Sequence, residues 1–393
     1  NITGNRQYDG TNVIDSSDLL LSNLLTGETV SLSGQGTVAS ADVGANKTVT
    51  SVNLALTGPN ASNYTLGSYT TNFEILPKVI DLTGTKVYDG QTTVPNANLT
   101  VTTGISGESL GLKGSGSVIS AAVGTGKSIS LGTLQLDSIG SGSDSNYTLS
   151  GGTHTFDITK RALTFTSSRD YDGTAIANTS GLTFSLSNLV SGEALLLSGS
   201  GTVASKDVSA GTQNITLGTI ALVDNTGVGS NYSLTSGTMD INQKQVNLSG
   251  TKVYDSNSTL NNSIVSVASG LVGSETLGLT GDVVTNSANV GTYLASAGQL
   301  NVGSTTIALA DGTNGGLGNN YSINEGTFTI TQRAVTISGT RVYDGSKTVS
   351  SSDITTFNNI AGGETLTLSG SGTFLESEGV GSGKTINVTG LTL

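Results

Sequence analysis

The sequence predicts an all-β chain, a tandem array of about 83-residue β-sandwich-like domains forming an elongated rod. Three observations carry this. A basic-x-Tyr-Asp motif recurs five times, large apolar residues alternate with polar ones in short runs, and 55 glycines in 393 residues punctuate those runs. A period of two places one face inward and the other in water, which is the strand signature, whereas helices need a period near 3.6.

The repeat comes first, because it fixes the organisation. Its copies are Arg6-Gln7-Tyr8-Asp9, Lys86-Val87-Tyr88-Asp89, Arg169-Asp170-Tyr171-Asp172, Lys252-Val253-Tyr254-Asp255 and Arg341-Val342-Tyr343-Asp344, with tyrosines 80, 83, 83 and 89 residues apart. Glu28, Glu108, Glu193, Glu275 and Glu364 follow those tyrosines by 20 to 22 residues. A third marker, Asn-Tyr before Ser or Thr, stands at Asn63-Tyr64, Asn146-Tyr147, Asn231-Tyr232 and Asn320-Tyr321. The units read as 1–76 (first strand incomplete), 77–159, 160–242, 243–331 and 332–393 (incomplete), a segment of a longer array.

Strands follow within each unit. Phe73-Glu74-Ile75, Phe156-Asp157-Ile158, Met239-Asp240-Ile241 and Phe328-Thr329-Ile330 alternate, and so do Leu182 to Leu186 and Leu300-Asn301-Val302. Thr- and Ser-rich runs are poor helix formers, so six or seven short strands per unit and essentially no helix are expected. Only Leu76-Pro77-Lys78, Thr159-Lys160-Arg161, Asn242-Gln243-Lys244 and Thr331-Gln332-Arg333 separate the units. With no Gly/Ser linker the domains must abut, hence the rod.

Composition excludes several functions. Lys and Arg number 16 against 28 Asp and Glu, a net charge of −12, which argues against nucleic acid and anionic membrane surfaces. No apolar run reaches membrane-spanning length, so no membrane insertion is expected. With no Cys and a single His, His154, thiol chemistry, disulfides and thiolate metal sites are ruled out, and no catalytic residue, metal or cofactor is assigned. His154 shares a face with Phe156 and reads as a partly buried edge histidine bonded to backbone.

The motifs have structural readings. In Asp9-Gly10, Asp89-Gly90, Asp172-Gly173 and Asp344-Gly345, Asp bonds its own downstream backbone and Gly supplies a positive φ, which makes a turn. Asp255 is followed by Ser256 and Asn257, so there the turn is expected to survive with a shifted register. Each motif tyrosine buries its ring and sends its hydroxyl to a polar partner, while the basic residue pairs with an acid at the surface. Ligand contact is the alternative reading. A Lys–Asn crosslink is not general, because Arg6, Arg169 and Arg341 lack the amine. The Asn-Tyr pairs end the most variable loops; Asn would close its loop through backbone, and Tyr would start the returning strand. Their carboxylates do not recur as a set, which argues against repeated calcium binding. Gly124 to Ser128 and Gly381 to Thr385 end like phosphate loops but lack the first glycine, and read as inter-strand turns.

Taken together, the five Tyr-Asp-Gly or Tyr-Asp-Ser motifs, their spacing, and Asn-Tyr before a [Phe/Met]-x-Ile strand resemble the YDG-type repeats of large bacterial surface adhesins, the filamentous-haemagglutinin type of exported protein. The resemblance implies an extracellular, cell-surface stalk or filament with no catalytic residues. Two roles stay open: a structural spacer with self-association through tandem or end-to-end contacts, or a module whose loops before Asn63, Asn146, Asn231 and Asn320 bind glycan, matrix or another cell-surface ligand.

Overall fold

Each of the first four repeats opens and closes on strands that lie side by side. In the computed structural model, which describes residues 1–67, 71–296 and 298–393, the opening strand Ile2–Gln7 pairs in parallel with the closing strand Thr71–Leu76 over six residues. Leu82–Val87 pairs likewise with His154–Thr159, and Lys244–Val253 with Tyr321–Thr331 over ten residues. In the third repeat Arg161–Asp170 neighbours Tyr232–Asn242 in the same sheet position. An antiparallel strand flanks each side, Leu19–Leu21 and Gly44–Lys47 in the first repeat and Val265–Ser269 and Gly291–Leu294 in the fourth.

Two smaller antiparallel sheets complete each full repeat, for example Thr93–Pro95 with Ser115–Ser117 and Gly111–Lys113 with Gln135–Asp137, and in the first repeat one of them gains a third strand, Thr50–Ser51. The fold is all-β. Among the described residues helical turns are three-residue 3-10 turns, no sheet closes into a barrel, and no helix is long and apolar enough to cross a membrane.

The alternating closing strands supply the core. Phe73, Ile75, Phe156, Ile158, Phe328 and Ile330 are all at most 1% exposed, and burying each such side chain contributes roughly 1.5–3 kcal/mol. The chain divides into two compact units, one of Asn1–Thr164, Leu186–Ser198 and Ala221–Thr235, the other of Phe165–Ser185, Gly199–Ile220 and Ser236–Leu393. The division therefore runs through the third repeat. In the first unit Ile2, Ile14, Leu82 and Val94 join the closing-strand residues in one cluster; in the second, Leu248, Leu260, Val283, Phe328 and Ile330 do so. Close approach fixes one recurring glycine: a Cβ on Gly4, Gly84 or Gly339 would stand 2.0, 2.1 or 1.9 Å from the backbone oxygen of Asp18, Asn98 or Asp353.

Three details depart from the sequence reading. Residues 1–76, 77–159, 160–242 and 243–331 contain nine, ten, eight and eight strands among the described residues, more than six or seven, because turns cut all but the long opening and closing strands of the third and fourth repeats into pieces of two to six residues. Leu300-Asn301-Val302 is no strand: Leu300 makes one isolated bridge to Thr285, and Val302 is 84% exposed in a turn. Gly124 to Ser128 is not a turn between strands but a strand with a bulge between Gly124 and Lys127, where Gly126 takes φ 63° and its N–H donates to Asp157.

Candidate functional site: the joints between repeats

The motif turn is the same in all five copies. Asp9, Asp89, Asp172, Asp255 and Asp344 each accept the backbone N–H two residues on, at 2.9 to 3.0 Å. Gly10, Gly90, Gly173 and Gly345 have φ of 74° to 80°, and Ser256 itself takes φ 61°. The register is thus not shifted in the fourth repeat; serine occupies the left-handed position that glycine fills elsewhere.

The basic residue is no surface partner. Lys86, Arg169 and Lys252 are at most 9% exposed, and each basic residue pairs with the motif's own aspartate three residues on. Lys86 also donates to the carbonyls of Gln91 and Thr93, both at 2.7 Å. One buried cation therefore ties the strand to both sides of the turn. Burial opposes ionisation of Asp9, Asp172 and Asp255, yet their hydrogen bonds and the paired cation outweigh it and hold those carboxyls below the ordinary value.

The motif tyrosines reach out of their own repeats. Tyr8 donates to Oε1 of Glu108 at 2.6 Å, and Tyr147 donates to Oε2 of the same carboxylate at 2.6 Å. Their rings meet edge to face, 5.4 Å apart at 75°. Tyr88 and Tyr232 hold Glu193 in the same way, at 2.5 and 2.6 Å, with rings 5.3 Å apart at 79°. Tyr171 and Tyr321 hold Glu275, at 2.8 and 2.6 Å, with rings 5.4 Å apart at 74°. In each joint the motif tyrosine of one repeat and the Asn-Tyr tyrosine of the next share a glutamate from that next repeat. Tyr254 likewise donates to Glu364.

Burial first, then the bond to Glu108 and its charge, pushes the Tyr8 hydroxyl up to about 12. Tyr88 rises to about 12 beside Glu193 for the same reasons, and Tyr147 and Tyr321 are raised as well. Lys206 lies 3.6 Å from Glu275 and 5.8 Å from the Tyr171 ring centre.

The asparagines act across the same boundary rather than closing their own loops. Asn146 accepts the Val43 N–H at 2.9 Å and donates to Asp42 at 3.0 Å. Asn231 accepts from Val123, and Asn320 accepts from Val208 and donates to Asp207, all at 2.9 Å. All three are at most 5% exposed. Asn63, in the first repeat, is exposed. Junction arginines add a further brace: Arg161 donates to the Tyr88 carbonyl at 3.4 Å and to Asn188 Oδ1 at 2.7 Å, and Arg333 repeats this with Tyr254 at 3.2 Å and Asn359 at 2.7 Å.

Each shared carboxylate is held by two phenols, one from each side of the boundary, so the arrangement fastens one repeat to the next. Sequence reasoning named the tyrosines and asparagines but gave the glutamates no role; their recurrence 20 to 22 residues after each motif was the available signal. His154 stands apart, accepting the Leu82 N–H at Nδ1 (3.1 Å) with Nε2 2.8 Å from the Leu149 carbonyl, at the start of an interior strand rather than an edge. Among the described residues no group of three or more His, Cys, Asp or Glu could hold a metal ion.

No curated protein matches the chain. The YDG domain matches it four times, over residues 2–72, 77–155, 159–239 and 327–393. The unmatched interval contains most of the fourth repeat, where Ser256 replaces the motif glycine, although that repeat keeps the strand order of the others. With the greater part of its length covered by these matches, the chain belongs to the YDG domain family.

Proposed function

We propose that the chain is a load-bearing stalk segment of a bacterial surface adhesin, outside the cell, and not an enzyme. The carrying observation is the parallel pairing of opening and closing strands in one sheet. Tension along the chain enters a repeat at the start of its opening strand and leaves at the end of its closing strand. Because those strands are parallel neighbours, the two loaded ends lie at opposite ends of one ladder. The load then shears all the slanted ladder bonds together instead of peeling them singly. The joints support the same reading, since the residues that recur most regularly serve to fasten one repeat to the next.

Single-molecule pulling of the whole chain from its termini tests this. Stepwise unfolding at high force is expected, each step releasing about 280 Å for some 80 residues at roughly 3.5 Å each. Smooth extension at low force refutes the stalk. Glycan or matrix binding abolished by substitutions in loop 138–145 would favour the ligand-binding role instead.

A further inference from the structure

Each joint also sets two tyrosine rings against one base. Among the described residues the ring contacts between tyrosines are Tyr8 with Tyr147, Tyr88 with Tyr232 and Tyr171 with Tyr321, 5.3 to 5.4 Å apart and edge to face. In each pair the two hydroxyls bond the two oxygens of a single carboxylate. The hydroxyl-bearing ends of the rings therefore converge, and with them the ortho carbons beside each hydroxyl. Apart from a short further approach, this is the arrangement that precedes an ortho–ortho carbon bond, whose two rings also stand twisted out of one plane.

The surroundings suit one-electron chemistry. Tyr8 and Tyr88 stay protonated up to about 12, so an electron leaves their rings most easily when the proton leaves with it. Glu108 and Glu193 stand ready to take that proton across bonds of 2.5 to 2.6 Å, within the reach of a general base. Both carboxylates are half-buried, so they can pass the proton on to water. The four rings are only 2–6% exposed, so each faces its partner rather than another molecule. The third joint is set differently: Glu275 is buried, and the Lys206 ammonium lies 5.8 Å from the Tyr171 ring centre, where its charge opposes removal of an electron.

We propose that the joints are sites of oxidative cross-linking, Tyr8 to Tyr147 and Tyr88 to Tyr232, with Tyr171 to Tyr321 the slowest. The co-reactant is a one-electron oxidant, two equivalents of which are reduced for each link. Each ring loses one electron to the oxidant and its phenolic proton to the glutamate, which releases it to water. The two tyrosyl radicals join through their ortho carbons, and the hydrogen on each joined carbon shifts to its oxygen, restoring both hydroxyls. The product is dityrosine, two hydrogens lighter than the pair. A chain with no cysteine thereby gains covalent joints. Because Tyr88 lies between Tyr8 and Tyr147 in the chain, the first two linked loops overlap, and tension could not draw either out to full length. The proposal rests on the joint geometry and holds whether or not the chain bears load.

Photo-oxidation of the full folded chain with tris(bipyridyl)ruthenium and persulfate, followed by tryptic mapping and mass spectrometry, tests it. Linked peptides pairing Tyr8 with Tyr147 and Tyr88 with Tyr232 are expected, two hydrogens light, with dityrosine fluorescence and a yield independent of protein concentration. In urea-unfolded chain the same links should fall at least about tenfold, because the rings are no longer held together. Glu108→Gln keeps an acceptor oxygen but removes the base, so it should slow the Tyr8–Tyr147 link at least about tenfold. The Tyr88–Tyr232 link in that same molecule should keep its wild-type rate, which shows that the neighbouring repeats are folded. Absence of both linked peptides from the folded wild type overturns the proposal, as do equal yields in urea, links dominated by other tyrosines, or an unchanged Tyr8–Tyr147 rate in Glu108→Gln.

Discussion

Replacing Glu275 with alanine should destabilise the joint of the third and fourth repeats by about 3–5 kcal/mol. The carboxylate is 8% exposed and accepts from Tyr171 and Tyr321 at 2.8 and 2.6 Å. A hydrogen bond to a charged group contributes roughly 1.5–3 kcal/mol net, and truncation leaves two buried phenols without their acceptor. Lys206, at 3.6 Å and part-exposed, adds at most about 1 kcal/mol. Glu275→Gln keeps the volume and one acceptor oxygen, so it should lose about half as much. Urea unfolding followed by circular dichroism reads the loss, with exposed Glu325→Ala as control. A double-mutant cycle with Tyr321→Phe should return a coupling of at least about 1 kcal/mol, because the two groups share a bond. A loss no greater than the control's, or additivity in the cycle, refutes the shared-carboxylate account.

Tyr88→Ala should lose about 3–5 kcal/mol, the range for truncating a buried aromatic, and Tyr88→Phe about half of that; urea unfolding separates ring from hydroxyl. For alkaline pH the sign follows from proton binding: the folded chain keeps the Tyr8 proton to about 12 and the unfolded chain releases it near 10, so the Tyr8 contribution is complete below pH 10 and lost between 10 and about 12. Wild type should therefore lose its advantage over Tyr8→Phe in that window, and an unchanged difference would contradict the assignment. Asn320→Asp should destabilise more than Asn320→Ala at neutral pH, since it sets a carboxylate against Asp207 where an amide donated at 2.9 Å; thermal melts of both variants decide it. Ser256→Gly should stabilise by roughly 1 kcal/mol by relieving a non-glycine residue at φ 61°, which the same melts would show.

The fold was legible where its signal is local. Alternation marks Phe156 and Ile158 as inward because facing depends only on position along one strand. Which strand lies beside it does not, and nothing in Leu82 to Val87 announces a parallel partner 72 residues on. The turn was legible for Asp and Gly, but Ser256 was misread because propensity favours Asn257 in the left-handed region, whereas the Asp255 bond to the Asn257 N–H fixes the turn one residue earlier. The joints were hidden for a similar reason. Tyr8 and Glu108 are 100 residues apart, and within a single repeat the tyrosine, the glutamate and the asparagine look like three separate markers.

Recurrence and function meet in that separation. A residue that recurs once per repeat can serve its own domain or the boundary, and the two leave the same trace in the sequence. The test is what its side chain touches. The basic residue and aspartate of each motif stay within one turn, while the tyrosine between them crosses to the next repeat. One four-residue segment thus carries both the hinge of a domain and the pin of a joint. The backbone N–H of that tyrosine bonds the closing strand of its own repeat, as Tyr88 does to the Thr159 carbonyl at 2.9 Å. Its hydroxyl is held by the neighbour. A shift of the closing strand under load would therefore pull directly on the joint, so the ladder and the joint should resist as one. Removing a joint glutamate is then expected to lower the force at which the adjoining repeat shears, and not merely to free the angle between repeats; pulling Glu193→Ala beside wild type distinguishes these, since an unchanged force would show that the joint only sets orientation.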